Sequence, residues 1–254
     1  MFENFPLILI SGIAVATASG LIGTFLVVRK MTLMSDALSH VALPGIALGI
    51  IFNFQPLVGG VVFLFFGILL IWKIENKTKL AIESITGVLF VTTLAVGTLL
   101  IPETELLETF FGSVEKTTSF QLILQTIIAV IVIATALKYL KPLTLSSVAP
   151  DLAASEKISH AKMQFLLLTL ITLTISIGIS FVGVLLISAL SIVPAATARN
   201  LSDNFKLFIR LSVILAIFSL TGGLYISHVW HFDPGIATVL ISAFFFVLSL
   251  FKKQ

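Results

Sequence analysis

Charge is the scarcest property of this chain. Asp, Glu, Lys and Arg make up 11% of its 254 residues, against 58% hydrophobic residues and a mean hydropathy of +1.16. A soluble domain carries roughly 25% charged residues, so this chain cannot clothe a globule in solvated side chains. Its outside must face something apolar. A soluble enzyme, a disordered segment and a nucleic-acid binder are thereby excluded. Cysteine is absent altogether, which removes disulfides, thiolate metal sites and cysteine nucleophiles. No G-x-x-x-x-G-K-[ST] stretch exists to bind ATP, and no H-E-x-x-H or G-x-S-x-G supplies a simple hydrolase. No span carries the arginine array of a voltage sensor. Alternating polarity of the kind a transmembrane barrel needs is missing too.

What remains are long continuous runs of Leu, Ile, Val and Phe. A spanning helix needs about 20 mostly apolar residues. Nine segments qualify, at 7–28, 37–53, 56–72, 80–101, 119–137, 163–179, 181–198, 207–227 and 235–251. The expected fold is therefore all-α and membrane-embedded, a single domain over 1–254 with about nine spans, or eight if one segment does not cross. Pro44-Gly45 interrupts the second segment, and only a tight turn near Ser180 parts the sixth from the seventh. The first segment lacks a basic leader and a small-residue cleavage site, so it is expected to stay as a span. With the N-terminus outside and the C-terminus inside, every basic residue except Lys116 falls in an inner loop, as the positive-inside rule requires.

Two loops differ from plain connections. The outer stretch 102–118 is acidic, with Glu103, Glu105, Glu108 and Glu115 around Phe110-Phe111-Gly112. The inner stretch 138–162 is the longest polar segment. Ser146 or Ser147 is placed to cap a short helix there, containing Pro150, Asp151, Leu152, Ala153 and Ala154. That helix is either a docking element or a plain surface connection.

The chemistry concentrates in Ser35-Asp36-Ala37-Leu38-Ser39-His40-Val41-Ala42-Leu43-Pro44-Gly45. Asp36 and His40 lie one helical turn apart on one face, and carboxylate with imidazole suits Zn²⁺, Mn²⁺ or Fe²⁺. Pro44 gives no N–H to the carbonyl one turn back. Ionisable groups inside a span are costly and usually functional, although the same pair could be a helix cap with its histidine partner. Two ligands do not close a site, and a second copy across a symmetric interface would supply two more. A weaker outer cluster comprises His228, His231 and Asp233 beside Trp230, where an interfacial aromatic belt is the plainer explanation. His160 is expected to be solvated and Glu83 to pair with Lys79. Gly183, Ser188, Ser191, Pro194 and Ala195 make the seventh segment rich in small residues that let helices approach.

The stretch SDALSHVALPGIALG resembles the hallmark of the permease subunits of zinc/manganese/iron uptake ABC transporters. Arg29-Lys30-Met31 before it, Glu83-Ser84-Ile85-Thr86-Gly87, Phe111-Gly112, Val182-Gly183-Val184-Leu185-Leu186 with Pro194-Ala195-Ala196-Thr197-Ala198, and Ser227 with Pro234-Gly235 are similar to further elements of that family. The resemblance covers essentially the whole chain. It departs at Ser35 and Lys157, where the family favours glycine, and at Val148-Ala149, where a Phe-Asp pair is usual. His228 and His231 are outside the family pattern.

The resemblance implies a type II importer-like permease that hydrolyses nothing itself, in a bacterial cytoplasmic membrane. Its partners would be a second permease copy, two cytoplasmic ATPase subunits holding ATP and Mg²⁺, an extracytoplasmic metal-binding protein and membrane lipid. No cofactor is implied as permanently bound, and no nucleic acid. Asp36 and His40 would line or gate the path of the divalent cargo, and 146–158 would hold the coupling helix. A proton-coupled carrier and an importer of metal chelates are the alternatives. The choice of metal stays open.

Overall fold

The computed structural model describes residues 5–78, 80–101, 117–230 and 232–251. Lys79, the acidic stretch from 102 to 116, and His231 lie outside them, so the expectations placed there find no structural counterpart. Among the described residues the fold is helices and connections, without a strand.

The helices are α1 (Phe5–Val28), α2 (Thr32–Val41), α3 (Leu43–Ile51), α4 (Pro56–Lys77), α5 (Ile82–Leu100), α6 (Ser119–Lys138), α7 (Leu140–Val148) and α8 (Pro150–Ser155). A helical stretch His160–Leu201 follows, then Phe205–Trp230 and Pro234–Ser249. Proline marks several starts. Pro44, Pro56, Pro150 and Pro234 each sit in the first two helical positions, where a missing N–H costs nothing. At α6 the start is a capping box, in which Thr118 and Gln121 exchange side-chain and backbone bonds.

The stretch His160–Leu201 is 42 residues long, about 63 Å if straight, or twice the roughly 30 Å hydrocarbon thickness. It is not straight. Gly183 has φ 74° and ψ 173°, a backbone region that essentially only glycine enters. A Cβ built on Gly178 would lie 1.9 Å from Ile187 Cδ1, so the chain has doubled back between them. We therefore treat the stretch as two antiparallel spans, α9 (His160–Ile179) and α10 (Phe181–Leu201). The last two helices become α11 (Phe205–Trp230) and α12 (Pro234–Ser249). The reversal expected near Ser180 is built around Gly183.

The second span is likewise two pieces. It begins at Thr32, earlier than the apolar run, and breaks at Ala42, whose N–H turns to the carbonyls of Ser39 and His40. Counting α2 with α3 as one crossing, eight segments among the described residues are long and apolar enough to span a membrane. The ninth, α12, has 16 residues. The chain is a multi-pass membrane protein.

Helix α1 is the axis of the bundle. It packs on α6, α10 and α11 and buries Val15, Ala16, Phe25 and Leu26. Hydroxyls pin it: Ser212 Oγ donates to the Gly20 carbonyl at 2.6 Å, and Ser11 Oγ donates to the Leu122 carbonyl at 3.2 Å. Such interhelical bonds replace the hydrophobic driving force that lipid removes. Helix α3 meets α4 through Gly45 and Gly59, where a Cβ on either would come within 2.1 Å of the other's carbonyl oxygen. Large apolar side chains such as Phe66, Leu99, Phe120 and Phe244 point outward, which in a bilayer is the expected covering.

Candidate metal pathway

Asp36 and His40 lie within α2, past its N-cap Met31. Asp36 is therefore not a helix cap; its carboxylate is free for another task. Helix α2 packs against α4, α5 and α10 and touches α1, making its crossing the most enclosed of the spans. From α10, Ser188 Oγ donates to Asp36 Oδ1 at 3.0 Å. Ser39 Oγ donates to the Asp36 carbonyl at 2.7 Å. His40 is 5% exposed, and its Nδ1 is buried with no hydrogen-bond partner. Its ring stands edge-on to Phe90 of α5, centroids 5.0 Å apart.

The chemistry follows from these contacts. A neutral hydroxyl on Oδ1 orients the carboxylate without consuming its charge or the lone pairs of its other oxygen. A buried imidazole nitrogen without a partner has lost water for nothing in exchange, unless a ligand completes it. Carboxylate oxygen, imidazole nitrogen and a nearby hydroxyl form a donor set for a borderline divalent cation. Among the described residues no group of three or more His, Cys, Asp or Glu is close enough to hold a metal. Ser188 had been legible only as a small packing residue, and Phe90 not at all. No pattern along α5 or α10 announces which of their residues faces α2.

At the C-terminal end of α1 the structure corrects two expectations. Ser146 and Ser147 do not cap the short helix α8. They sit inside α7, and the N-cap is Ala149, with no side-chain bond. Pro150 starts α8 instead. The serines serve Arg29: its Nε donates to Ser147 Oγ at 2.8 Å, its Nη2 to Ser146 Oγ at 3.2 Å, and its Nη1 to Gln164 Oε1. His160 is not merely solvated, because its Nδ1 lies 3.1 Å from Ser146 Oγ. Glu75 of α4 lies close enough for its charge to act on Arg29. Burial pulls the Arg29 guanidinium below its ordinary pKa, and the Glu75 carboxylate opposes that pull, so the cation is kept. Gln164 and Glu75 were missed in the sequence; Gln164 stands as a polar residue at the start of the sixth apolar run, whereas Glu75 lies among the charges of an inner stretch where nothing singles it out.

Helix α8 turns Ala153 inward and leaves Pro150, Asp151, Leu152 and Ala154 exposed. Val148 and Leu152 are 63% and 53% exposed, on a segment lying beyond the spans. Lys157, where the resemblance favours glycine, has φ 59° and donates its N–H to the Ala154 carbonyl, a left-handed helix end.

The outer cluster does not assemble into a site among the described residues. Asp233 caps α12, its Oδ1 accepting from the Ile236 N–H at 3.0 Å. The His228 ring lies 5.0 Å from that of Phe5.

Comparison with known proteins agrees in length as well as pattern. The chain is 35% identical over its whole length to the high-affinity zinc uptake system membrane protein ZnuB of Haemophilus influenzae, covering 99% of it. It is 32% identical over 97% of its length to the manganese transport system membrane protein MntC of Listeria monocytogenes, covering 90% of that protein. The structure of PsaBC from Streptococcus pneumoniae in complex with Fab superposes with a TM-score of 0.87 at 28% identity, covering 100% of this chain and 93% of that one. The family model for the ABC 3 transport family matches residues 1–253. With its helices, its length and its motifs all accounted for by that match, the chain belongs to the ABC 3 transport family as a membrane permease subunit.

Proposed function

We propose that this chain is the transmembrane permease of an ATP-driven importer of a divalent transition metal ion, Zn²⁺, Mn²⁺ or Fe²⁺. The observation that carries the reading is the Asp36 and His40 pair, one turn apart on the most enclosed span, with Ser188 orienting the carboxylate and the His40 Nδ1 left without a partner. The zinc and manganese uptake functions named for the relatives supply the class of cargo.

In this reading the N-terminus is outside and the basic end of the bundle faces the cytoplasm of a bacterial cell. An extracytoplasmic metal-binding protein delivers the ion, and two cytoplasmic ATPase subunits bind ATP and Mg²⁺. Pro150, Asp151, Leu152, Ala153 and Ala154, within 146–158, form the coupling element. The exposure of Val148 and Leu152 outside the spans supports this, since an apolar pair there has neither lipid nor core to cover it. A second copy of the chain completes the path. Helix α5 packs beside α2 and is the least enclosed span, and its exposed face carries Ser84, Thr92, Ala95 and Thr98, small enough for close approach of another helix. Two copies present two carboxylates and two imidazoles.

The step demanded of the site is transient holding. The ion exchanges its water for Asp36 and His40, and the missing closed cage lets it leave when the partner ATPases switch the dimer from outward- to inward-facing. Elemental analysis tests the whole reading. Cells lacking the gene are grown in metal-limited medium and complemented with wild type, Asp36→Ala or His40→Ala. The wild type is expected to restore one metal and the variants to leave it depleted at equal membrane levels. Full restoration by both variants would remove the site while keeping the transporter. No change in any metal would remove the cargo assignment.

A further inference from the structure

The pathway makes no use of the most heavily bonded cation in the molecule. Arg29 closes α1, and the left-handed Lys30 after it, φ 59°, turns the chain away towards α2. The guanidinium reaches two other elements directly. Ser146 and Ser147 belong to α7, Gln164 to α9, and each accepts from Arg29. Glu75 of α4 adds an opposite charge near the guanidinium. His160 Nδ1, at the start of α9, meets the same Ser146 hydroxyl. The guanidinium spreads its donors over three nitrogens in a rigid plane, whereas Lys has its three donors on a single nitrogen and cannot reproduce that fork.

The segment held in this way has little else to hold it. Leu143, Ser146 and Ala153 are its buried residues, and Ser146 is part of the clamp itself. Val148 and Leu152 face outward. The segment is set off from α6 by a break at Tyr139, and it bends internally at Ala149, with φ −140° and ψ 74°, between α7 and α8. Beyond Arg29, α1 packs along α10, and α10 carries the Ser188 that holds Asp36.

We propose that Arg29 is the positioning residue that fastens the α7–α8 segment to α1 and α9, so that a displacement of α8 moves the membrane helices instead of being absorbed at the surface. The fastening stands on the contacts alone. The transmission rests on the reading of α8 as the coupling element.

Two variants separate these statements. Arg29→Lys keeps the charge and removes the fork. The pair Ser146→Ala with Ser147→Ala removes the acceptors on the segment and leaves Arg29 in place. The first measurement is the rate of tryptic cleavage after the exposed Lys157 in the full-length permease in detergent. Both variants are expected to be cut several-fold faster than wild type there; cleavage at the wild-type rate in the serine pair overturns the fastening, even if Arg29→Lys fails to fold. The second is uptake of Zn²⁺ or Mn²⁺ per ATP hydrolysed by vesicles carrying the permease co-expressed with its ATPase, supplied with the metal-binding protein on the delivery side. The variants are expected to keep hydrolysing ATP while the ratio drops several-fold. Faster cleavage with an unchanged ratio overturns the transmission. A wild-type complex that moves no metal overturns the proposed function, and with it the transmission, while the cleavage rates still decide the fastening.

Discussion

Asp36 shows how little of a site a single residue contains. Its carboxylate is oriented by one hydroxyl, Ser188 Oγ at 3.0 Å, from a helix more than a hundred residues away. Groups that orient a ligand without touching the metal typically matter by 10–100-fold in affinity. Ser188→Ala is thus expected to raise the half-saturating metal concentration for uptake by about tenfold, with the maximal rate little changed. An unchanged half-saturation would mean that Asp36 needs no orientation. His40 adds a pH dependence. Its imidazole ligates only when neutral, and the ordinary pKa is about 6.5. Uptake should fall once the pH is low enough to protonate that imidazole, measured as initial rates at constant free metal; a profile that stays flat to the acid limit of the folded protein would rule out ligation by His40. The pair Asp36/His40 was legible from its spacing and types. Ser188 was not, because nothing along α10 distinguishes the serine facing Asp36 from Ser191, whose hydroxyl bonds its own helix.

At the scale of the element, two backbone positions carry testable strain. Gly183 makes the reversal between α9 and α10 in a conformation other residues avoid. Gly183→Ala is expected to cost of order 1–3 kcal/mol, read as a lower melting temperature of the purified protein and a reduced folded yield in membranes. Lys157 ends α8 in the left-handed region, which explains physically why glycine is favoured there. Lys157→Gly should therefore leave stability equal or slightly raised, whereas Lys157→Val, β-branched at φ 59°, should lower it by about 1–2 kcal/mol. Thermal unfolding of the two side by side decides the matter. Both features were partly visible beforehand. Proline placement marked the helix starts correctly at Pro44, Pro56, Pro150 and Pro234. The serines before Pro150 were misread as caps, because capping preference is a local rule. A buried guanidinium arriving from α1 outbids it.

For the whole molecule, the decisive feature is the mismatch between its two ends. Basic residues gather where α1, α4, α6 and α10 finish, and the segment α7–α8 lies at that end. The absence of cysteine makes the proposed orientation directly measurable. Exposed Ser155 and Gln55 lie at opposite ends of the bundle. With Ser155→Cys, a membrane-impermeant maleimide is expected to react only after the membrane is opened. With Gln55→Cys it should react in intact protoplasts or spheroplasts. The reverse pattern would invert the topology and move α8 away from any cytoplasmic ATPase.

The sequence by itself determined what depends on composition and period. Too few charges for a water-facing surface meant a membrane; runs of about 20 apolar residues meant helices; lysine and arginine in alternate loops meant a preferred orientation; and an Asp and a His one turn apart meant a shared face. Each of these is a local or summed property of the chain. The tertiary structure alone decided which hydroxyl meets Asp36, that the His40 nitrogen is enclosed without a partner, and that Arg29 bonds both α7 and α9. Those contacts join residues far apart in the chain. They depend on the rotation of each helix about its own axis, and packing sets that rotation where hydropathy, nearly uniform around these helices, leaves it open.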